Sequence, residues 1–217
     1  MYQEITIPEA VGMVRDGMRI MVGGFLTVGS AHKTMAALAE SGVKDLTIIC
    51  NDTAYDDRGI GLLISNGQVS RVITSFIGRN PRASELLNEG KLEVEFVPQG
   101  TLIERIRCGG AGLGGVLTPT GVGTKVQEGK QVINVNGRDY LLETAIRADI
   151  ALIGASRADT AGNLFYEGTA RNFNPLMAMA ADTVIAEPSE IVEAGAIPPA
   201  IVHTPGILVD YIVKPQD

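Results

Sequence analysis

DGMRIMVGGFLTVGS, residues 16–30, reads in succession as a turn, a buried strand, a glycine bend and the start of a helix. Asp16-Gly17 is turn chemistry. Met18 to Val22 is a short apolar run suited to a strand buried on both faces. Gly23 and Gly24 remove side chains where that strand ends, so the backbone can turn sharply and its N–H groups can be approached closely. Ser30 is the expected N-cap of the helix AHKTMAALAE, whose first amides would then face an anionic or polarised ligand group. In open α/β sheets, ligands sit off the carboxyl ends of strands, where this bend falls. A βα turn whose glycines serve packing alone is the competing reading, and both stay open on the motif by itself. The dinucleotide fingerprint G-x-G-x-x-G is absent: the order is Gly23-Gly24-Phe25-Leu26-Thr27-Val28-Gly29. Phe25 directly after the double glycine suits the lining of an acyl or pantetheine chain better than a cradle for pyrophosphate.

Outward from the bend, the chain alternates strands and helices. Upstream, residues 8–15 with Pro8 in the first turn predict a short helix. Downstream, the helix near 31–41 ends at Ser41-Gly42. LTIIC, 46–50, is a buried strand running into polar Asn51-Asp52-Thr53, a second loop at a strand's carboxyl end. Residues 59–67 predict a helix closed by Asn66-Gly67, 71–76 a strand, 81–90 a helix from Pro81 to Gly90, and 92–98 a strand stopped at Pro98. Such alternation indicates an α/β fold: an open, mostly parallel twisted sheet with helices on both faces.

PQGTLIERIRCGGAGLGGVLTPTGVGT, 98–124, opens as a helix with Thr101 as N-cap and Glu104 in the capping-box position. It then becomes a long glycine-rich segment, read as a functional or mobile loop. Residues 131–143 are a β-hairpin inserted in the fold, turning at Asn136-Gly137. Strands are expected at 149–155 and 183–188, with a helix at 176–182 between them. The proline-punctuated tail is expected to wrap the surface or meet a partner. One domain spans 1–217.

The net charge of −7 argues against nucleic acid or an acidic membrane surface as partner. No run is long enough for a membrane helix, and MYQEITIPEA lacks the basic and apolar regions of a secretory signal. A soluble, cytoplasmic protein is expected. Two cysteines, Cys50 and Cys108, do not make a disulfide framework. His32 and His203 are the only histidines, far apart, with no C-x-x-C or H-E-x-x-H, so no metal site is expected. There is no nucleophile elbow G-x-S-x-G and no P-loop. What the chain offers is neutral donors: the amides around Gly23-Gly24 and the side-chain amides of Asn51 and Gln99. Such groups orient a carboxylate or thioester and stabilise an oxyanion. They form a binding wall without an attacking group, which must come from another chain or from the substrate.

Four stretches carry a resemblance: Asp16-Gly17 through Gly23-Gly24-Phe25 to Gly29, PQGTLIERIRCGGAG at 98–112, TPTGVGT at 118–124 and ARNFNP at 170–175. As a set the chain resembles the alpha subunit of the family I, or 3-oxoacid, coenzyme A transferases, which act on acetate/butyrate–acetoacetate and succinyl–3-oxoacid pairs. It departs from the family's pattern at Ala31, where proline is usual. The resemblance implies a CoA-transferase and ribose-5-phosphate isomerase-like fold. It implies transfer of CoA between a short-chain acyl-CoA and a free carboxylic acid, in ping-pong fashion through a glutamyl-CoA thioester. The nucleophilic glutamate lies in an S-E-N-G motif of the beta subunit, so no catalytic residue is expected here; Glu167, in Tyr-Glu-Gly-Thr, is a bystander. It implies CoA binding by Gly23, Gly24, Phe25, Leu26, Thr27, Val28 and Gly29, and an acyl or carboxylate pocket lined by Asn51, Asp52 and Gln99. Asp52, where some members have asparagine, would repel a carboxylate unless protonated or turned away; Arg107 and Arg171 are candidate counter-charges. No permanent cofactor is implied, only CoA as substrate, and the assembly is an alpha2beta2 heterotetramer. The rivals are a metabolite-binding sensor of the same fold and a nucleotide-linked oxidoreductase, the latter disfavoured by the missing fingerprint.

Overall fold

The computed structural model describes residues 2–215; Met1, Gln216 and Asp217, the ends of the domain expected over 1–217, lie outside the described residues. Eight strands make the central sheet: β1 (Gln3–Ile5), β2 (Arg19–Val22), β3 (Leu46–Cys50), β4 (Val69–Thr74), β5 (Glu93–Phe96), and, after an antiparallel sheet of β6 (Gly115–Thr118), β7 (Val132–Val135) and β8 (Arg138–Thr144), β9 (Ala148–Ala155). A small sheet of β10 (Arg157–Asp159), β11 (Leu164–Phe165) and β13 (Ile191–Val192) flanks β12 (Ala181–Pro188), and β14 (Tyr211–Val213) completes the large one. Its order is β1-β14-β12-β9-β2-β3-β4-β5, and every described pairing in it is parallel.

Parallel strands need crossovers, and these put helices on both faces, so the central strands are apolar throughout. Alternation along each strand divides the core. Ile20, Val22, Ile48, Cys50, Ile150 and Leu152 face α1 (Ile7–Gly12), α2 (His32–Glu40), α3 (Ile60–Ser65) and α4 (Pro81–Asn88). Met21, Ile49, Ile73, Ala151 and Ile153 face α5 (Gln99–Gly110) and α6 (Asn174–Met179). Each large aliphatic side chain among these contributes about 1.5–3 kcal/mol by leaving water.

Several boundaries differ from the sequence reading. α1 starts before Pro8 because Thr6 and Glu9 form a reciprocal capping box. α5 begins two residues before Thr101, after Pro98 fixes the backbone, so Thr101 is interior and Glu104 pairs with Arg107 instead of capping. The glycine-rich segment is no free loop: Gly109 and Gly110 end α5, and β6 pairs with β8, extending the hairpin to three strands. α6 starts at Asn174, and Ala181 and Asp182 already belong to β12. The tail does not simply wrap the surface. Its apolar YIV is an inner strand between β1 and β12, and Pro198 and Pro205 precede short 3-10 turns outside the sheet.

A charged network fastens the three-stranded sheet to the edge of the large one. Glu95 accepts from Arg71 Nη2 and Arg105 Nη1, each at 2.7 Å. Arg105 also donates to the Thr144 carbonyl at 2.8 Å, and Lys130 meets buried Glu143 at 2.6 Å. Burial pushes the Glu95 carboxyl up, but the hydrogen bonds and charges of Arg105 and then Arg71 outweigh it, and its pKa is lowered below the ordinary 4.5. The pairs therefore contribute stability above that ordinary value and lose it as the pH falls through the lower folded-state pKa. In acid titrations of Tm, Glu95→Gln should flatten the fall between about pH 5 and pH 2; slopes parallel to wild type would mean the carboxylate contributes nothing.

Candidate functional site

The chain runs outward from β2 through β3, β4 and β5, then returns to β9 on the other side of β2 and runs outward again. The carboxyl ends of β2 and β9 thus flank the topological switch point, where open parallel sheets leave a crevice. The bend lies directly in it. Gly23 N–H donates to Leu152 O of β9 at 3.0 Å, and Gly154 N–H of β9 donates to Gly29 O at 3.2 Å. A Cβ on Gly154 would come within 2.7 Å of the Gly29 and Ser30 carbonyl oxygens, and one on Gly23 would strike the Asn174 side chain. Gly154 is needed so that one backbone can rest on another, and Gly23 so that the Asn174 side chain can lie against the bend.

Within the bend, Phe25 and Val28 exchange backbone hydrogen bonds at 3.0 and 2.9 Å around a two-residue turn. Its central residues, Leu26 and Thr27, have φ of 46° and 76°. The hairpin turn Asn136-Gly137 has nearly the same values, 52° and 82°, with the residues that tolerate them. Leucine and β-branched threonine do not, so the bend is held in a strained form by its surroundings. Asn172 supplies much of the hold: its Oδ1 accepts Gly24 N–H at 3.1 Å, and its Nδ2 donates to Val28 O at 2.9 Å. Asn174 Nδ2 donates to Gly29 O at 2.9 Å.

On the other flank, Asp52 accepts Leu26 N–H at 3.0 Å and Ala54 N–H at 2.8 Å. Asn51 Nδ2 donates to Asp52 Oδ2 at 2.7 Å, and Gln99 Nε2 donates to Asn51 Oδ1 at 2.6 Å. Asn51 and Asp52 are 2% and 5% exposed, whereas Gln99 stands partly open at the start of α5. The structure thus brings the three expected pocket residues together in one hydrogen-bonded chain and ties that chain to the bend. Asp52 is turned away from the surface onto backbone donors. Phe25 and Val28 remain about half exposed, at 46% and 48%, and with Thr169 and Asn172 line an apolar recess beside the turn.

Residues 5–215 match the family model described as coenzyme A transferase. The chain belongs to the coenzyme A transferase family. It is 56% identical over 213 residues to the alpha chain of an acetate CoA-transferase of Escherichia coli (strain K12), covering 98% of this chain and 97% of the relative. It is 54% identical over 200 residues to the alpha chain of an acetoacetyl-CoA:acetate/butyrate CoA transferase of Clostridium acetobutylicum, covering 92% of each. Among solved structures, an acyl-CoA transferase from Escherichia coli O157:H7, in a thioester complex with CoA, superposes with a TM-score of 0.87 at 25% identity, over 98% of this chain and 47% of that one. Glutaconate coenzyme A-transferase from Acidaminococcus fermentans shares the fold, with a TM-score of 0.84 at 20% identity over 98% of this chain and 75% of that one.

For a coenzyme A transferase chain, two expectations about donors need correction. The amides of Gly23 and Gly24 are spent on Leu152 O and Asn172 Oδ1, and so are not offered to a ligand. Ser30 does not cap α2; its hydroxyl donates to Gly23 O at 2.7 Å. The first amides of α2 are taken instead by Glu187 of β12, which accepts Lys33 N–H at 3.0 Å and Thr34 N–H at 2.7 Å. A carboxylate of this chain already occupies the place where an anionic ligand was expected. Sequence reasoning missed Glu187, because nothing local marks a cap supplied from over 150 residues away, and gave Asn172 and Asn174 no role, although both lie in the quoted ARNFNP.

The remaining polar residues stand apart from the bend's chemistry. Glu167 is exposed, with its backbone N–H on Ser156 Oγ at 2.7 Å. Arg107 is paired with Glu104 at 2.7 Å. His203 stacks on Phe165 and accepts Tyr166 N–H; burial and then the Arg171 charge lower its pKa. Cys50 and Cys108 are buried, and burial foremost drives the Cys50 thiol pKa far up, against an offset from the Thr74 hydroxyl. Among the described residues no group of histidine, cysteine or carboxylate side chains could hold a metal, and no helix is long and apolar enough to cross a membrane.

Two substitutions probe the hold on the bend. Asn172→Ala should cost about 1–3 kcal/mol in urea unfolding by orphaning Gly24 N–H. Thr27→Gly should gain about 1 kcal/mol by relieving the left-handed threonine. A neutral or destabilising Thr27→Gly would contradict the assigned strain.

Proposed function

We propose that this chain is the alpha subunit of a CoA-transferase that moves coenzyme A between a short-chain acyl-CoA (acetyl, butyryl or acetoacetyl) and a free carboxylic acid. The observation that carries this reading is the end-to-end likeness, at 56% identity, to the alpha chain of an acetate CoA-transferase. The site agrees with that role. The bend presents an apolar recess at Phe25 and Val28 that fits a pantetheine or acyl chain, and the Gln99–Asn51–Asp52 chain, on the bend's other flank, is read as the wall of the acid's pocket. In this reading residues 23–29 guide CoA, which is a substrate and not a resident cofactor.

The reaction then runs on a glutamate of the beta subunit. Its carboxylate attacks the thioester carbonyl, the C–S bond breaks, and CoA thiolate leaves an acyl-glutamyl anhydride. The thiolate attacks the glutamyl carbonyl, releases the first acid and forms a glutamyl-CoA thioester. The second acid reverses both steps and departs as acyl-CoA. The active form is an alpha2beta2 heterotetramer in the cytoplasm, with sites between alpha and beta chains.

Assays with acetoacetyl-CoA and acetate test this directly. The chain alone should be inactive, and the complex with its beta partner active. Incubation of that complex with acyl-CoA, borohydride trapping and mass spectrometry should place the label on the partner. Turnover by the isolated chain, or a label on Glu167, would overturn the assignment.

A further inference from the structure

The chain of side-chain hydrogen bonds from Gln99 to Asp52 has a direction, and a carboxylate sets it. Every contact of Asp52 is with a donor: the N–H groups of Leu26 and Ala54 and the NH2 group of Asn51. A carboxylate only accepts, so Asn51 has to offer its NH2 group to Asp52. Asn51 Oδ1 is then obliged to face Gln99, which answers with its own NH2 group. Gln99 Oε1 and a single N–H are left for whatever lies against its open side. With asparagine at 52, the N–H groups of Ala54 and Leu26, which already reach Oδ1 at 2.8 and 3.3 Å, would claim the new Oδ1, and the new NH2 group would take the place of Oδ2 and turn to Asn51. Asn51 would have to flip, Gln99 would flip in turn, and Gln99 would present both N–H groups outward.

We propose that Asp52 is a positioning residue that sets acid specificity: by fixing the polarity of this chain it makes Gln99 present a carbonyl oxygen to the substrate, which favours monocarboxylic acids and rejects a second carboxylate. This rests on the reading that Asn51, Asp52 and Gln99 border the acid's pocket. Acetate or butyrate commits its one carboxylate to the reacting glutamate and brings only an apolar tail to this wall, and the 3-oxo group of acetoacetate is a single neutral acceptor that the remaining Gln99 N–H can meet. A dicarboxylic acid brings a further acceptor against Gln99 Oε1, with the Asp52 charge two hydrogen bonds behind. Acceptor against acceptor leaves a polar group unpaired, which is how a binding site discriminates most strongly.

Polarity is tested on the full chain without reference to activity. Gln99→Glu places two acceptors face to face while Asp52 holds Asn51, so it should lower Tm. In the double variant Asp52→Asn/Gln99→Glu the chain inverts, the carboxylate introduced at position 99 accepts the Asn51 NH2 group, and most of that loss should return. Losses that simply add would overturn the polarity. Specificity is tested on the alpha–beta complex with acetoacetyl-CoA. In Asp52→Asn, the ratio of kcat/KM for succinate to that for acetate should rise by at least about tenfold, mainly through KM of the acid, and Gln99→Ala should abolish the rise. If Asp52→Asn is inactive on both acids, Gln99→Lys replaces it: this donor-only side chain satisfies Asn51 Oδ1 and should raise the same ratio. An unchanged ratio, while Gln99→Ala slows both acids, overturns the specificity role alone. Unchanged constants for both acids in Gln99→Ala overturn the pocket reading beneath it.

Discussion

The bend between β2 and α2 is built on contact of backbone with backbone. Gly23 and Gly29 hydrogen-bond to β9 at Leu152 and Gly154, and a Cβ on Gly154 would strike the Gly29 and Ser30 carbonyls, so the bend lies on β9 in the crevice that a parallel sheet opens at its switch point. Once that contact is made, the rest follows. The amides that a glycine loop would present to a phosphate are consumed, the turn is pushed outward, and Phe25 and Val28 are carried onto the rim. In a dinucleotide-binding fold the same position keeps its amides free and lets the helix N-terminus bind the anion. Here Glu187 fills that place. The site has exchanged an anion cradle for an apolar rim, which agrees with the thioester substrate proposed for it.

The cost of that arrangement sits in the turn itself. Leu26 and Thr27 adopt the backbone for which Asn136 and Gly137 are well suited, and they keep it through hydrogen bonds from outside. Asn172 and Asn174 grip one side and Asp52 the other. These come from distant parts of the chain, so the bend's shape depends on tertiary contacts and not on its local sequence. Strain of this kind is expected where a site needs a fixed shape before its ligand arrives.

The fold was largely legible because its signals are local. LTIIC, the Asn136-Gly137 hairpin and the glycine ends of the helices follow from periodicity and turn chemistry, and they lie where the residues indicate. Assigning Asn51, Asp52 and Gln99 together to an acyl or carboxylate pocket depended on family resemblance, and the structure joins the three side chains by hydrogen bonds. What stayed hidden is long-range. A hydroxyl near a helix start reads as a cap, yet Ser30 bonds backward to Gly23 because Glu187 already holds the helix amides. The tail's prolines read as surface chain, yet YIV between them completes the sheet because β12 leaves an edge for it. In both of these cases a partner far along the chain outcompeted the local choice.

The same long-range logic explains how this chain alone can shape its part of the proposed site. The amide side chains of Asn51 and Gln99 would each be free to point either way if they met only other amides. Asp52 removes that freedom, because it cannot donate, and Leu26 and Ala54 remove the freedom of Asp52, because a backbone N–H cannot accept. Polarity therefore passes from the fixed backbone of the bend, through two buried side chains, to one at the rim. Gln99 is pre-oriented there without any contact from a ligand, so the entropy of ordering it is already met when a substrate or partner closes over it. A negative charge that would be a liability at the proposed carboxylate site thus acts as the anchor of a neutral wall.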